Sequence, residues 1–326
     1  MTVDVRPEPA AFGTGHASPG LDPAKFRDPA ITARGEARAS VALRGLETLW
    51  FNTGTLCNLT CANCYIESSP SNDRLAYLTT AEVAGYLDEI ARDGHATRLI
   101  GFTGGEPFMN PALPDMLELV LARGFDVLVL TNAMRPMAKM AERLAPLARY
   151  GRRLQMRVSI DHPDPAVHEA ERGRASWAPA VVGLQWLAAN GFNVTVAGRL
   201  GFGAGGEAVL RGAFARLFAG LGVAVDAGDP ARLVLFPEMD PTADVPEITT
   251  SCWGILGKTP DSVMCATARM VVKHRGRAPS VAACTLLPYD ARFDLGATLA
   301  EAGRTVALNH PHCARFCVLG GAACSS

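Results

Sequence analysis

Leu56-Cys57-Asn58-Leu59-Thr60-Cys61-Ala62-Asn63-Cys64-Tyr65 sets three cysteines in a C-x3-C-x2-C array directly after an apolar run. Three thiolates on one short loop can each take one iron of a 4Fe-4S cube. No neighbouring side chain offers an obvious fourth ligand, so one iron would stay open to a small molecule. Closely spaced thiolates also suit a structural zinc site, but that site needs a fourth donor. The nearest histidine in sequence, His95, lies beyond a predicted helix. Spacing alone leaves both metals open.

The run before the array, Thr48-Leu49-Trp50-Phe51-Asn52, reads as a first strand. After the array, Thr79 and Glu82 make a T-x-x-E capping box, and Val83, Tyr86, Leu87 and Ile90 form an apolar helical stripe that ends near Gly94. A second strand, Arg98 to Phe102, runs into Thr103-Gly104-Gly105-Glu106-Pro107-Phe108. Two glycines permit backbone angles and close approach that a side chain forbids, and the adjoining carboxylate can accept hydrogen bonds from an ammonium group.

Together these two motifs resemble the signature of the radical S-adenosylmethionine (radical SAM) superfamily. The resemblance implies that Cys57, Cys61 and Cys64 bind a 4Fe-4S cluster whose open iron is chelated by the amino and carboxylate groups of SAM. It implies reductive cleavage of SAM to a 5'-deoxyadenosyl radical, which abstracts a hydrogen from the substrate. Gly104, Gly105 and Glu106 take the place of the family's G-G-E-P element, which binds the methionyl amino group. The family usually has an aromatic residue just before the last cysteine, where this chain has Asn63, with Tyr65 following instead.

Strand and helix signals continue to alternate. A helix marked by Leu113, Leu117, Val120 and Leu121 precedes the strand Val127-Leu128-Val129-Leu130, and Met137 to Tyr150 reads as a helix bent at Pro146. Leu154 to Ile160 is a fourth strand, Phe192 to Leu200 a fifth and Leu233 to Phe236 a sixth, with helices at 176 to 190 and, more loosely, 207 to 221 between them. Six such units predict an α/β fold with a parallel sheet inside and helices outside. Right-handed crossovers curl it into the partial (β/α)6 TIM-like barrel that the resemblance implies. Ligands of such folds gather at the carboxyl ends of the strands, where both motifs lie. Ser159 and Asp161 stand two apart on the fourth strand and therefore share a face. Similar positions in the family contact SAM, and Arg172 or Arg199 could pair with its carboxylate.

Beyond Pro237, prolines interrupt the regularity, and six of the nine cysteines fall in the last 75 residues. Met270 to Lys273 and Ser280 to Ala283 flank Gly276 as two arms of a hairpin, which would draw Cys265 and Cys284 together, with Cys313 and Cys317 adding a second pair. This region resembles the shortened auxiliary-cluster domain called Twitch, a cut-down SPASM extension. The resemblance implies that Cys265, Cys284, Cys313 and Cys317 ligate a second 4Fe-4S cluster, with Cys324 as a replacement. A zinc site remains the alternative. Cys252 reads as a buried thiol, and His310 and His312 as neighbours of the site rather than ligands.

The expected organisation is an extended or partly disordered arm (1–45), the barrel (46–240) and a small cysteine-rich α+β auxiliary-cluster domain (241–326). Net charge is −1 with no Lys/Arg-rich run, so neither nucleic acid nor an anionic membrane is suggested as a partner. An odd cysteine count without a secretory signal fits metal ligation in a reducing cytoplasm better than a disulfide framework. The expected function is therefore that of a cytoplasmic enzyme that oxidises its substrate by hydrogen abstraction, passes an electron to the auxiliary cluster, and draws on a reductant such as flavodoxin or ferredoxin. The arm is too short and irregular for a winged-helix leader-binding domain, so a small molecule or natural-product intermediate is favoured over a peptide. A non-enzymatic zinc or iron-sulfur electron-carrier scaffold is the alternative of another class.

Overall fold

The computed structural model describes residues 20–201, 206–237, 239–240 and 242–322. Its strands are β1 (Ser40–Val41), β2 (Thr48–Asn52), β3 (Leu99–Thr103), β4 (Asp126–Thr131), β5 (Leu154–Ser159), β6 (Asn193–Arg199), β7 (Leu233–Phe236), β8 (Ala268–Val272), β9 (Ser280–Ala282) and β10 (Val306–Ala307). The helices are α1 (Thr80–Arg92), α2 (Leu113–Ala122), α3 (Arg135–Ala138), α4 (Ala141–Leu144), α5 (Pro165–Arg172), α6 (Trp177–Ala189), α7 (Gly206–Leu221) and α8 (Cys252–Leu256).

One eight-stranded sheet runs in the order β7-β6-β5-β4-β3-β2-β8-β9 and is parallel except at the β8–β9 pair. Its β2-to-β7 part is the expected partial barrel. Helices cover its outer face, which explains why strands such as Val127-Leu128-Val129 are apolar on both sides. The capping box before α1 forms as the sequence predicts, with the Glu82 backbone N–H donating to Thr79 Oγ1 at 3.2 Å and the Thr79 N–H to Glu82 Oε2 at 2.8 Å. The predicted helix over 137–150 is instead broken into α3, α4 and a 3-10 stretch, Ala145–Arg153. Pro136 and Pro146 each sit at the start of a piece, because proline has no N–H to give a preceding turn.

The boundary expected at 240/241 cuts through this sheet. β8 lies parallel to β2, with Thr48 opposite Ala268 and Phe51 opposite Val271. An open barrel leaves the outer edge of β2 with unpaired peptide groups, and β8 satisfies them. The arm also differs from its expectation. Residues 1–19 lie outside the described residues, but 20–45 run along the C-terminal region. β1 pairs antiparallel with β10, and the buried Arg38 pairs with Glu247 while donating to the carbonyls of Asp28, Ile31 and Leu308. Among the described residues no helix is long and apolar enough to cross a membrane.

Trp50 on β2 is wholly buried and lies over its β3 neighbour Gly101, where an added Cβ would come within 2.2 Å of the indole. Gly101→Ala should therefore overpack the centre of the barrel. We expect it to lower the urea-unfolding free energy by about 1–3 kcal/mol, and an unchanged value would mean that Trp50 can move aside.

Candidate active site

The cysteine loop is laid against the G-G-E turn backbone to backbone. Gly105 N–H donates to Gly54 O at 2.9 Å and Glu106 N–H to Leu56 O at 3.1 Å. A Cβ on Gly104, which has φ +147°, would meet Gly54 O at 2.5 Å, and one on Gly105 would meet Leu56 O at 2.4 Å. The glycines are thus required by the approach of the cysteine loop itself. The Glu106 side chain turns away from the cavity into the core. It accepts from Thr131 Oγ1 at 2.7 Å, Asn132 N–H at 2.8 Å and Phe108 N–H at 3.2 Å, and so ties the turn to the end of β4. Burial pushes its carboxyl up to about 7 against those three bonds. Those three bonds leave one acceptor site of Oε2 open, while Glu106 itself does not line the cavity at the strand ends.

Behind the loop lies a buried ionic lattice. Arg172, at the end of α5, holds Asp161 through two bonds, Nε to Oδ2 at 2.8 Å and Nη2 to Oδ1 at 3.0 Å. Arg199 approaches Asp161 at 3.6 Å and Glu171 at 3.8 Å. Glu171 accepts both of its bonds from Asn63 Nδ2, at 2.8 and 3.1 Å, and its carbonyl accepts from Ala62 N–H at 2.8 Å. Burial would raise the Asp161 carboxyl, yet Arg172 and Arg199 hold it below its ordinary value. His168 is fully buried and neutral, its imidazole held down to about 4 by burial and by Arg172, and its Nδ1 accepts from Asp161 N–H at 3.3 Å. The helix that carries these groups starts where sequence rules place it, with Asp164 capping the N–H groups of Ala166 and Val167 and Pro165 in the first turn.

A cavity of about 170 Å³ opens at the carboxyl ends of the strands. Cys57, Cys61 and Cys64 line it with Gly104, Gly105, Ser159, Asp161, Arg172 and Arg199, so every residue expected at the SAM site borders it except Glu106. Ile160 points away, as the strand alternation requires. Leu59 N–H donates to Cys57 Sγ at 3.4 Å and Ser68 N–H to Cys64 Sγ at 3.3 Å. Without iron, burial and the nearby Glu106 push the Cys57 thiol up to about 12, and burial raises Cys61 against the pull of Arg172. Metal loading must release those protons. Sequence reading missed Glu171 and the lattice role of Asn63, for which no local pattern gives a signal. It also missed the far wall of Phe236, Pro237, Met239, Leu286 and Phe316, which converges from distant segments.

Residues 51–204 match the model of the Radical SAM superfamily. The chain carries a radical SAM domain. The antilisterial bacteriocin subtilosin biosynthesis protein AlbA of Bacillus subtilis is 34% identical over 142 residues, 43% of this chain and 30% of that protein. Mycofactocin maturase MftC of Mycobacterium ulcerans is 32% identical over 136 residues, 42% of this chain and 35% of that protein. The match thus spans about a third of the length of these relatives. Streptococcus suis SuiB bound to precursor peptide SuiA superposes with a TM-score of 0.57 at 11% identity, over 78% of this chain and 63% of that one, a likeness of fold.

The cofactors of a radical SAM domain are a 4Fe-4S cluster and SAM, and the residues here fit them. Three soft thiolate donors border one cavity, two of them already accepting backbone N–H bonds of the kind that tune cluster sulfurs. Among the described residues no group of three or more His, Cys, Asp or Glu is set to hold a single metal ion.

The radical SAM domain is followed by a second gathering of cysteines. Cys265, Cys284, Cys313 and Cys317 line one small cavity with Met264, Ala283, Phe293, Val306 and Leu308. The β8–β9 register, Met270 opposite Ala282, carries the hairpin's ends together and brings Cys265 near Cys284. Cys313 and Cys317, four apart on the turn Cys313–Leu319, project from one face. Cys252 lies elsewhere, its Sγ accepting from Thr249 N–H at 3.4 Å, and Cys324 falls outside the described residues. The rings of His310 and His312 lie 4.8 Å apart with their planes tilted by 51°, and burial holds them neutral, at about 3 and about 4.

Two predictions test this architecture. Asp161→Asn leaves Arg172 buried without its countercharge, and the urea-unfolding free energy should fall by about 3–5 kcal/mol; a loss below about 1 kcal/mol would mean that water screens the pair. Glu106 has a folded value above its ordinary 4.5, so the stability it contributes is complete below that pH and is lost as pH rises through about 7. Glu106→Gln cannot ionise. Its unfolding midpoint should decline less between pH 5 and 8 than that of the wild type, and parallel curves would refute the assignment.

Proposed function

We propose that this chain is a radical SAM enzyme that oxidises a peptide, with Cys265, Cys284, Cys313 and Cys317 holding a second 4Fe-4S cluster. The observation that carries this reading is a shared wall. Phe316, from the turn between Cys313 and Cys317, stacks on Phe236 at 5.6 Å and faces the cavity that the first three cysteines open onto. Leu286, two residues past Cys284, lines the same cavity. A bound first cluster and SAM would supply a 5'-deoxyadenosyl radical able to take one hydrogen atom, and a second cluster on Cys265, Cys284, Cys313 and Cys317 would take the remaining electron as a proton leaves to solvent, which together make a two-electron oxidation.

The chain's own residues do the rest. Glu171 and Arg199 hold the cysteine loop at Ala62 and Asn63, Arg172 and Asp161 brace them, Gly104 and Gly105 let the loop close on the barrel, and Phe236, Met239, Leu286 and Phe316 exclude water from the reacting position. That apolar wall suits a side chain without charge. A peptide substrate departs from the small molecule that the sequence favoured. It is supported by the relatives, named for bacteriocin biosynthesis and mycofactocin maturation, and by SuiB, solved with a precursor peptide. A flavodoxin or ferredoxin would supply the reducing electron.

The test is anaerobic reconstitution followed by reduction in the presence of SAM and short peptides encoded beside the gene. The wild type should yield 5'-deoxyadenosine and a peptide lighter by two hydrogens, and the variant with Cys57, Cys61 and Cys64 all replaced by Ala should yield neither. The Cys284→Ala, Cys317→Ala variant should keep SAM cleavage but lose at least tenfold in peptide product. Normal peptide turnover in that variant would remove the second cluster from the reaction.

A further inference from the structure

We propose that Arg269 is the fixed countercharge of the second cysteine site and raises the potential at which that site takes up an electron. The inference rests on the reading that the four cysteines hold a 4Fe-4S cluster.

Arg269 on β8 is 1% exposed, one of the largest fully buried side chains of the protein. Its guanidinium donates to four carbonyls: Nε to Ala302 O at 2.9 Å, Nη1 to Cys265 O at 2.6 Å and Ala268 O at 2.8 Å, and Nη2 to Arg304 O at 3.1 Å. These bonds occupy four of its five N–H donors but bring no negative charge. Arg38 and Arg172, buried elsewhere, have Glu247 and Asp161. Among the described residues no carboxylate pairs with Arg269, and the ionisable groups that act on it are Cys265 and Cys284.

A buried cation without a partner is costly, and guanidinium cannot shed its proton to escape that cost. Free thiols are neutral near pH 7 and offer no compensation, whereas ligating thiolates do. Four thiolates on an oxidised 4Fe-4S core carry a net charge of −2, and one added electron makes it −3. A fixed cation stabilises the second state more than the first, so it raises the potential. Met264, Phe293, Val306 and Leu308 line the cavity with apolar surface, which keeps water from screening the effect.

The experiment uses the full chain with Cys57, Cys61 and Cys64 replaced by Ala, so that the second site alone is read, by iron content and by a redox titration followed by electron paramagnetic resonance. Four irons per chain are expected in this background; none would bring down the reading of the site and the inference with it. Arg269→Gln should lower the potential so that the oxidised-to-reduced ratio at a fixed potential rises at least tenfold, about 59 mV for one electron. Arg269→Lys, which keeps the charge, should stay near the parent. An unchanged potential in Arg269→Gln, or an equal fall in Arg269→Lys, would overturn the proposal while leaving the cluster in place. Loss of iron from Arg269→Gln alone would support it, and equal loss from both variants would make Arg269 a brace for the 302–304 turn and refute it.

Discussion

The pair between Asp161 and Arg172 is the contact on which the candidate site depends. Two charges taken out of water need good geometry to recover their desolvation cost, and here the planar guanidinium meets the carboxylate through two bonds of 2.8 and 3.0 Å. The pair ties the end of β5 to the end of α5, and Glu171, next in the chain, grips Asn63 and Ala62. A cysteine loop with little regular structure is thereby fixed from behind. Its front is fixed by the two glycines, which let peptide groups approach where a methyl group could not fit.

The C-terminal region belongs to the same construction. β8 continues the barrel sheet beside β2, so Cys265 and Cys284, at the open ends of the β8–β9 hairpin, are placed by strand register. Residues 20–45 then clasp the far side through β1 and Arg38. The turn bearing Cys313 and Cys317 also supplies Phe316 to the large cavity, so one chain segment borders both groups of cysteines. That closeness gives the proposed oxidation its physical route.

Much of this was legible in the chain. The strand run before Cys57, the capping box at Thr79, the alternation of β and α signals and the hairpin around Gly276 all rest on interactions within about ten residues, and all appear where expected. The single helix expected across 137–150 is interrupted twice, between α3 and α4 and again at Ala145, where Pro146 opens a 3-10 stretch because it has no N–H for a preceding turn. Glu106 illustrates a subtler loss. Its motif points to a ligand, but whether a carboxylate faces a cavity or the core depends on Thr131 and Asn132, twenty-five residues on.

The sequence by itself pointed to a radical SAM domain, to the parallel α/β barrel and to two groups of cysteines, since each is written in residue spacing and local periodicity. Only the tertiary structure decided which charges neutralise one another, why Asn63 stands before the last cysteine, and that the C-terminal hairpin extends the barrel sheet. Those outcomes depend on partners brought together from separate strand ends, and a buried charge or an open sheet edge finds its partner by position in space, which spacing along the chain does not encode.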